Sequence, residues 1–124
     1  MNSGYLAGAF DLLNVRDLDL IEQAAARCEH LTVGVFSDDH VEERFGRRPI
    51  VPVEERVRLV AGLRNVDEAQ VHDGWPDDHG VAFVWREHAH CVEARRVMIL
   101  DARRESKSET LREALAPANI WAVA

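Results

Sequence analysis

Cysteine is scarce in this chain of 124 residues: Cys28 and Cys91 are the only two. Two thiols make no disulfide framework, so a reduced, cytoplasmic setting is expected. Long apolar runs are missing as well. No stretch approaches the ~20 residues that a bilayer-crossing helix needs. The N-terminal "MNSGYLAG" has no basic segment followed by an apolar block, so no signal peptide is expected. Positive charge is in deficit, with a net charge of -7. A nucleic-acid backbone is therefore not the expected partner, because such binding needs a basic footprint. A nucleotide needs only a few local donors and is not excluded. Internal repeats, low-complexity tracts and linkers are also missing. What remains is 47% hydrophobic and 30% charged, the composition of one ordinary globular domain spanning 1–124.

Strand and helix patterns alternate along the chain. Gly4 to Phe10 reads as a short buried strand, with small residues where backbone must come close. Leu18, Ile21, Ala25 and Cys28 recur at helical spacing, which predicts a helix over Val15 to Arg27, capped by Asn14 or Asp17. The β-branched run Leu31 to Ser37 is a second strand, and a short polar helix follows from Asp38 to Arg44. Gly46, Pro49 and Pro52 punctuate a loop, after which a helix enters at Pro52 or Val53. "EAQVH" is a third strand and "GWPDDHG" a loop. "VAFVW" is read as a fourth strand followed by a helix, although Val81, Val84, His88 and Val92 would also share one helical face. "RVMIL" is a fifth strand, and "ETLREAL" a final helix. This alternation predicts an α/β fold: a single three-layer Rossmann-like domain with a five-stranded parallel sheet. Ligands in such sheets sit beyond the carboxyl ends of the strands, where strand order reverses. Gly8 to Asp17 falls at that point.

At these residues the chain resembles the small cytidylyltransferases and adenylyltransferases, of the glycerol-3-phosphate cytidylyltransferase type. That family opens with G-T/S-F-D-x-x-H-x-G-H, where this chain has "GAFDLLNVRD". "LTVGVFSDD" is similar to the family's second strand, and "GRRPIVPVEERVRLVAGLRNVDEA" to its K-x-R/K-P-x-x-P-x-x-E-R segment, helix and V-D-E strand. The likeness runs from Gly4 to about Val71. Beyond it, "VWREH" stands in place of a G-D-x-W loop, and "ARRESKSETL" is a frayed counterpart of R-T-x-G-I-S-T-T, with Ser108 as its candidate ligand residue.

The resemblance implies in-line attack on the α-phosphate of a nucleoside triphosphate, with Mg2+ as cofactor where the transfer is retained. Catalysis of that kind is positioning plus stabilisation of phosphoryl charge. The two family histidines supply donors, and the glycine opens the helix N-terminus to phosphate. Here those positions hold Asn14, Arg16 and Asp17. Asn14 keeps an amide donor. Arg16 adds bulk but carries a guanidinium able to grip phosphate. Asp17 places negative charge where the triphosphate would lie. Two like charges ~4 Å apart cost about 4 kcal/mol at an effective dielectric of 20, roughly a thousandfold in binding. Phe45 stands where the family has a lysine.

The expectation is a diverged family member with lost or altered nucleotidyl transfer, holding a small anionic or nucleotide-derived ligand. Gly8, Ala9, Phe10, Arg16, Arg47, Arg48, Arg56 and Ser108 are the candidate binding residues. Asp11, Asn14 and Asp17 are the candidate catalytic groups. Two alternatives stand beside it: an active cytidylyltransferase using Asn14 and the arginines as donors, and a non-catalytic interaction subunit. The resemblance further implies a homodimer. Each residue also has a plainer part. Asn14 and Asp17 are good helix caps, Asp11 is a turn residue, and Arg47, Arg48 and Arg56 are solvated charges. "HAHC", His88 to Cys91, offers three ligand types on neighbouring positions that do not face one way, so no metal is expected there. Trp75, Trp85 and Trp121 are read as packing residues.

Overall fold

Apolar residues alternate along the first strand, and the two sets build two separate cores. In the computed structural model, which describes residues 2–75, 80–86 and 97–101, β1 spans Ser3–Gly8. Leu6 faces a large cluster with Leu20, Ile21, Val33, Val35, Val60 and Phe83. Tyr5 and Ala7 face the opposite way, toward Phe36 and Val41. That is the period-two geometry of a strand covered on both faces.

The remaining elements are α1 (Val15–Ala25), β2 (His30–Phe36), α2 (Asp38–Phe45), α3 (Val53–Ala61), β3 (Glu68–His72), β4 (Val81–Trp85) and β5 (Val97–Leu100). The five strands form one parallel sheet in the order β3-β2-β1-β4-β5. The expected five-stranded parallel α/β architecture is therefore present. Strand order reverses between β1 and β4, so the switch point lies at the carboxyl ends of those two strands. α1 and α3 contribute Leu20, Ile21 and Val60 to the larger core, and α2 lays Val41 against the other face.

Several boundaries differ from the sequence reading. β1 ends at Gly8 rather than Phe10, because the chain turns sharply there: Phe10 and Leu12 take positive φ, 51° and 56°. α1 stops at Ala25, where tightened bonds such as Arg27 N–H to the Ala24 carbonyl replace the helical ladder. Cys28 consequently lies past the helix and is half-buried against the core. α3 enters behind Pro52, as expected. "VAFVW" is a strand. The helices expected after it and at "ETLREAL" lie outside the described residues, as does Ser108.

Candidate functional site

The turn that leaves β1 is held in a conformation its residues do not favour. Positive φ at a non-glycine residue costs about 1–3 kcal/mol and persists only when neighbours over-determine it. Those neighbours can be named. The Phe10 ring is buried beneath Gly8, where a Cβ would stand 2.9 Å from it, and meets the Trp85 ring edge-on at 6.1 Å. The Asp11 carboxylate accepts from two backbone amides of the "GRRPIVP" loop, Ile50 N–H and Val51 N–H, both at 2.9 Å. Asp11 is only 3% exposed. It therefore ties the first turn to the loop across the strand ends.

Asn14 and Asp17 then close the start of α1 on themselves. Asn14 Oδ1 accepts from Arg16 N–H at 2.9 Å and from Asp17 N–H at 3.3 Å. Asp17 Oδ2 accepts in return from Asn14 N–H at 3.3 Å. Asn14 Nδ2 donates to the Leu12 carbonyl at 3.1 Å, fixing the strained turn. This is a reciprocal capping box. The sequence left the cap open between Asn14 and Asp17; the structure uses both. Asp17 is 4% exposed, and Asp19 is buried beside it, accepting from Gln23 Nε2 at 3.1 Å.

Arg56 joins the pieces. Its guanidinium donates from Nε to the Val51 carbonyl, from Nη1 to the Ala9 and Phe36 carbonyls, and from Nη2 to Asp38 Oδ1, each at 2.7 Å. It is 0% exposed, which overturns the reading of a solvated helix charge. The loop arginines behave otherwise. Arg48 is exposed and pairs with Glu42 at 2.6 Å and Asp39 at 3.1 Å. Those two acceptors push its pKa up, Glu42 first. Arg47 is partly buried in the same loop.

The second half of the mouth comes from β4 and β5. The Arg16 guanidinium lies over the Trp85 ring, 4.7 Å from its centre, a cation–π arrangement. Arg86, one residue past β4, makes a two-pronged pair with Asp101, one past β5, at 2.6 and 2.8 Å. That pairing holds the Asp101 carboxyl below its ordinary range. Gln23 Nε2 reaches the Asp101 carbonyl at 2.8 Å and links α1 to the same edge. The sequence reading missed Arg86, Asp101 and Gln23. The signal was available, since residues just past the carboxyl ends of parallel strands line the mouth.

Asp11, Asn14, Asp17, Gly8, Ala9, Phe10, Arg16 and Arg56 are thus brought together at the switch point, whereas Arg48 is drawn toward α2. Mg2+ in phosphate chemistry is held by one or two carboxylates together with the phosphates. Here both oxygens of Asp11 and one oxygen of Asp17 accept from backbone N–H groups. Among the described residues no group of three or more His, Cys, Asp or Glu side chains is placed to hold a metal ion. These carboxylates fit a structural part better than a Mg2+ shell. No helix among the described residues is long and apolar enough to cross a membrane.

Comparison with known proteins agrees with this geometry. The bifunctional protein HldE of Granulibacter bethesdensis is 40% identical over 65 residues, 52% of this chain and 13% of that protein. The FAD synthase of Thermococcus sibiricus is 41% identical over 64 residues, 52% of this chain and 43% of that protein. The ethanolamine-phosphate cytidylyltransferase of Dictyostelium discoideum is 40% identical over 68 residues, 54% of this chain and 19% of that protein. The matched stretches span less than half the length of these curated relatives. A lipopolysaccharide core biosynthesis protein from Thermoplasma volcanium shares the fold, with a TM-score of 0.64 at 19% identity, covering 86% of this chain and 99% of that one. A model of the cytidylyltransferase-like family matches residues 5–122. The parallel sheet, its switch point and this match together show that the chain belongs to the cytidylyltransferase-like family of nucleotidyltransferases.

Proposed function

We propose that this chain uses the family's ligand mouth for a small anionic or nucleotide-derived ligand, in a cytoplasmic setting, and that nucleotidyl transfer is lost or altered. The observation that carries this reading is the Asn14–Asp17 box. Two amides at the start of α1, of Arg16 and Asp17, donate to Asn14 Oδ1. An anion at this terminus would have to displace that oxygen and lie beside a buried carboxylate. Helix N-termini bind phosphate through free N–H groups and a favourable dipole; here Asn14 occupies two of the N–H groups and Asp17 supplies the negative charge. Arg16, stacked on Trp85, is the cation best placed for a smaller anion. Arg47, in the loop that Asp11 ties to the turn, is the second candidate cation, while Arg48 would have to leave Glu42 and Asp39 to join it. If chemistry is retained, Asp11 and Asp17 are its acid–base groups. Docking between two copies of the chain, as a homodimer, is part of the same proposal.

A second reading draws on the relatives named ethanolamine-phosphate cytidylyltransferase and FAD synthase. It has Asn14 and the arginines replacing the family donors in active transfer, and it requires pyrophosphate release from CTP or ATP with Mg2+. Calorimetric titration of both nucleotides, with and without Mg2+, into wild type and the Arg16→Gly/Asp17→His variant separates the two. The charge argument expects tighter CTP binding by the variant, by up to about a thousandfold. Wild type binding CTP at least as tightly as the variant overturns it.

A further inference from the structure

The second core holds a group of side chains that the mouth does not use. Tyr5 from β1, Phe36 from the end of β2, His72 from the end of β3, His40 from α2 and Trp75 pack together on the face away from α1 and α3. The Tyr5 hydroxyl lies 2.7 Å from His72 Nδ1. Both residues are buried. Gly34 makes the bond possible, since a Cβ there would overlap the Tyr5 hydroxyl. His40 stacks flat on Phe36, ring centres 4.2 Å apart and planes 5° apart. Trp75 sets its edge against Tyr5 at 5.5 Å and His72 at 5.3 Å.

Phe36 belongs to both halves of the molecule. Its ring supports His40 and touches His72, with centres 5.4 Å apart. Its carbonyl accepts from Arg56 Nη1. The next residue, Ser37, caps α2 through His40 N–H, and Asp38 pairs with Arg56 Nη2. Movement of Phe36 or of the start of α2 therefore reaches the guanidinium that holds Ala9 and Val51.

While His72 Nδ1 keeps its lone pair the Tyr5 hydroxyl donates to it; a protonated ring donates from Nδ1 to the hydroxyl oxygen instead and carries a positive charge. We propose that the Tyr5–His72 pair is a proton-operated latch on the ligand mouth: protonation of His72 reverses the Tyr5 bond and sets a positive charge inside the buried aromatic group, 5.8 Å from the His40 ring, which loosens Phe36 and α2 and slackens the hold of Arg56 on the turn after β1. The surroundings oppose the charged ring. Burial most, then His40 and Arg44 on α2, lower the His72 pKa to about 4, against Asp73 beside it. His40 itself is lowered by burial and Arg44, against Glu43. Tyr5 is raised to about 12 by burial, with Gln70 opposing and Asp73 adding. An opened state in which His72 regains its ordinary value of 6.5 gains about 20-fold in relative population between neutral pH and pH 5.

The test is an NMR titration of the whole chain from pH 7.5 to 4. The His72 imidazole carbon shifts report its protonation. Amide protection factors of Ile50 and Val51 report the mouth, and those of Leu6 and Val33 report global folding. The latch requires Ile50 and Val51 to lose protection over the range in which His72 titrates, while Leu6 and Val33 keep theirs. It also requires that loss to vanish in the Tyr5→Phe/His72→Phe variant. Unchanged protection as His72 titrates in wild type overturns the latch, whether or not that variant folds. An equal loss in a folded variant overturns it too.

Discussion

Replacing Arg56 by methionine keeps most of its volume and removes every donor. Four acceptors are then abandoned: the Ala9, Phe36 and Val51 carbonyls and Asp38 Oδ1, each now bonded at 2.7 Å. Breaking a buried ion pair by removing one partner costs about 3–5 kcal/mol, and a buried acceptor left without a donor about 1–3 kcal/mol. The low end of that sum, one ion pair and three carbonyls, is about 6 kcal/mol; Asp38 keeps 26% of its side chain in solvent and can rehydrate, which brings the total below it. The expected loss is about 4 kcal/mol, a large part of a domain's stability. For a chain of this length it lowers Tm by about 15 °C. Urea unfolding followed by circular dichroism measures it, with Arg48→Ala as the control. Arg48 pairs at the surface, with 55% of its side chain exposed, so its removal is expected to leave the urea midpoint in place. A loss below about 1.5 kcal/mol, within the range of unremarkable substitutions, would refute the claim that one guanidinium ties these strand ends together.

Asn14→Ala removes the acceptor for two amides at the start of α1 and is expected to cost about 1–2 kcal/mol by urea midpoint; no change would mean that water replaces the cap without penalty. Gly34→Ala sets a Cβ 2.5 Å from a Tyr5 ring carbon and onto its hydroxyl, so a loss of about 3 kcal/mol is expected from overpacking and the lost bond to His72. Adding Tyr5→Phe is expected to recover only part of it, because the ring carbon still intrudes; full recovery would locate the conflict in the hydroxyl alone. The folded His72 pKa lies below its ordinary value, so the fold favours the neutral ring. That contribution is complete above about pH 6.5 and drains away as pH falls toward 4, reaching about 2 kcal/mol by pH 5. Denaturation midpoints of wild type and Tyr5→Phe/His72→Phe across that range give the difference, and parallel curves would contradict it.

Much of the scaffold was legible because its signals are local. β2 announces itself as a β-branched run, and α3 as an apolar stripe behind a proline. β4 was harder, because four of its five residues are buried and the apolar run shows no alternation. Nothing in "AAAR" marks the stop of α1 at Ala25, so the helical pattern runs two residues past it. At the mouth, Asn14 and Asp17 were visible as caps from spacing alone. Arg56 was not visible as a buried hub, because its acceptors lie 5 to 47 residues away and two glutamates precede it as on any solvated helix. The Tyr5–His72 bond spans 67 positions and leaves no local trace. Pairings of that kind are written in the topology rather than in any window of sequence.

Three of the four Arg56 bonds end on main-chain oxygens rather than on side chains. Every amino acid carries such an oxygen. Positions 9, 36 and 51 can therefore exchange identities without loosening the tether, provided the backbone path stays the same. An architecture anchored in this way tolerates rewriting at its rim, so new recognition chemistry can be tried on an old frame that has no stake in the outcome.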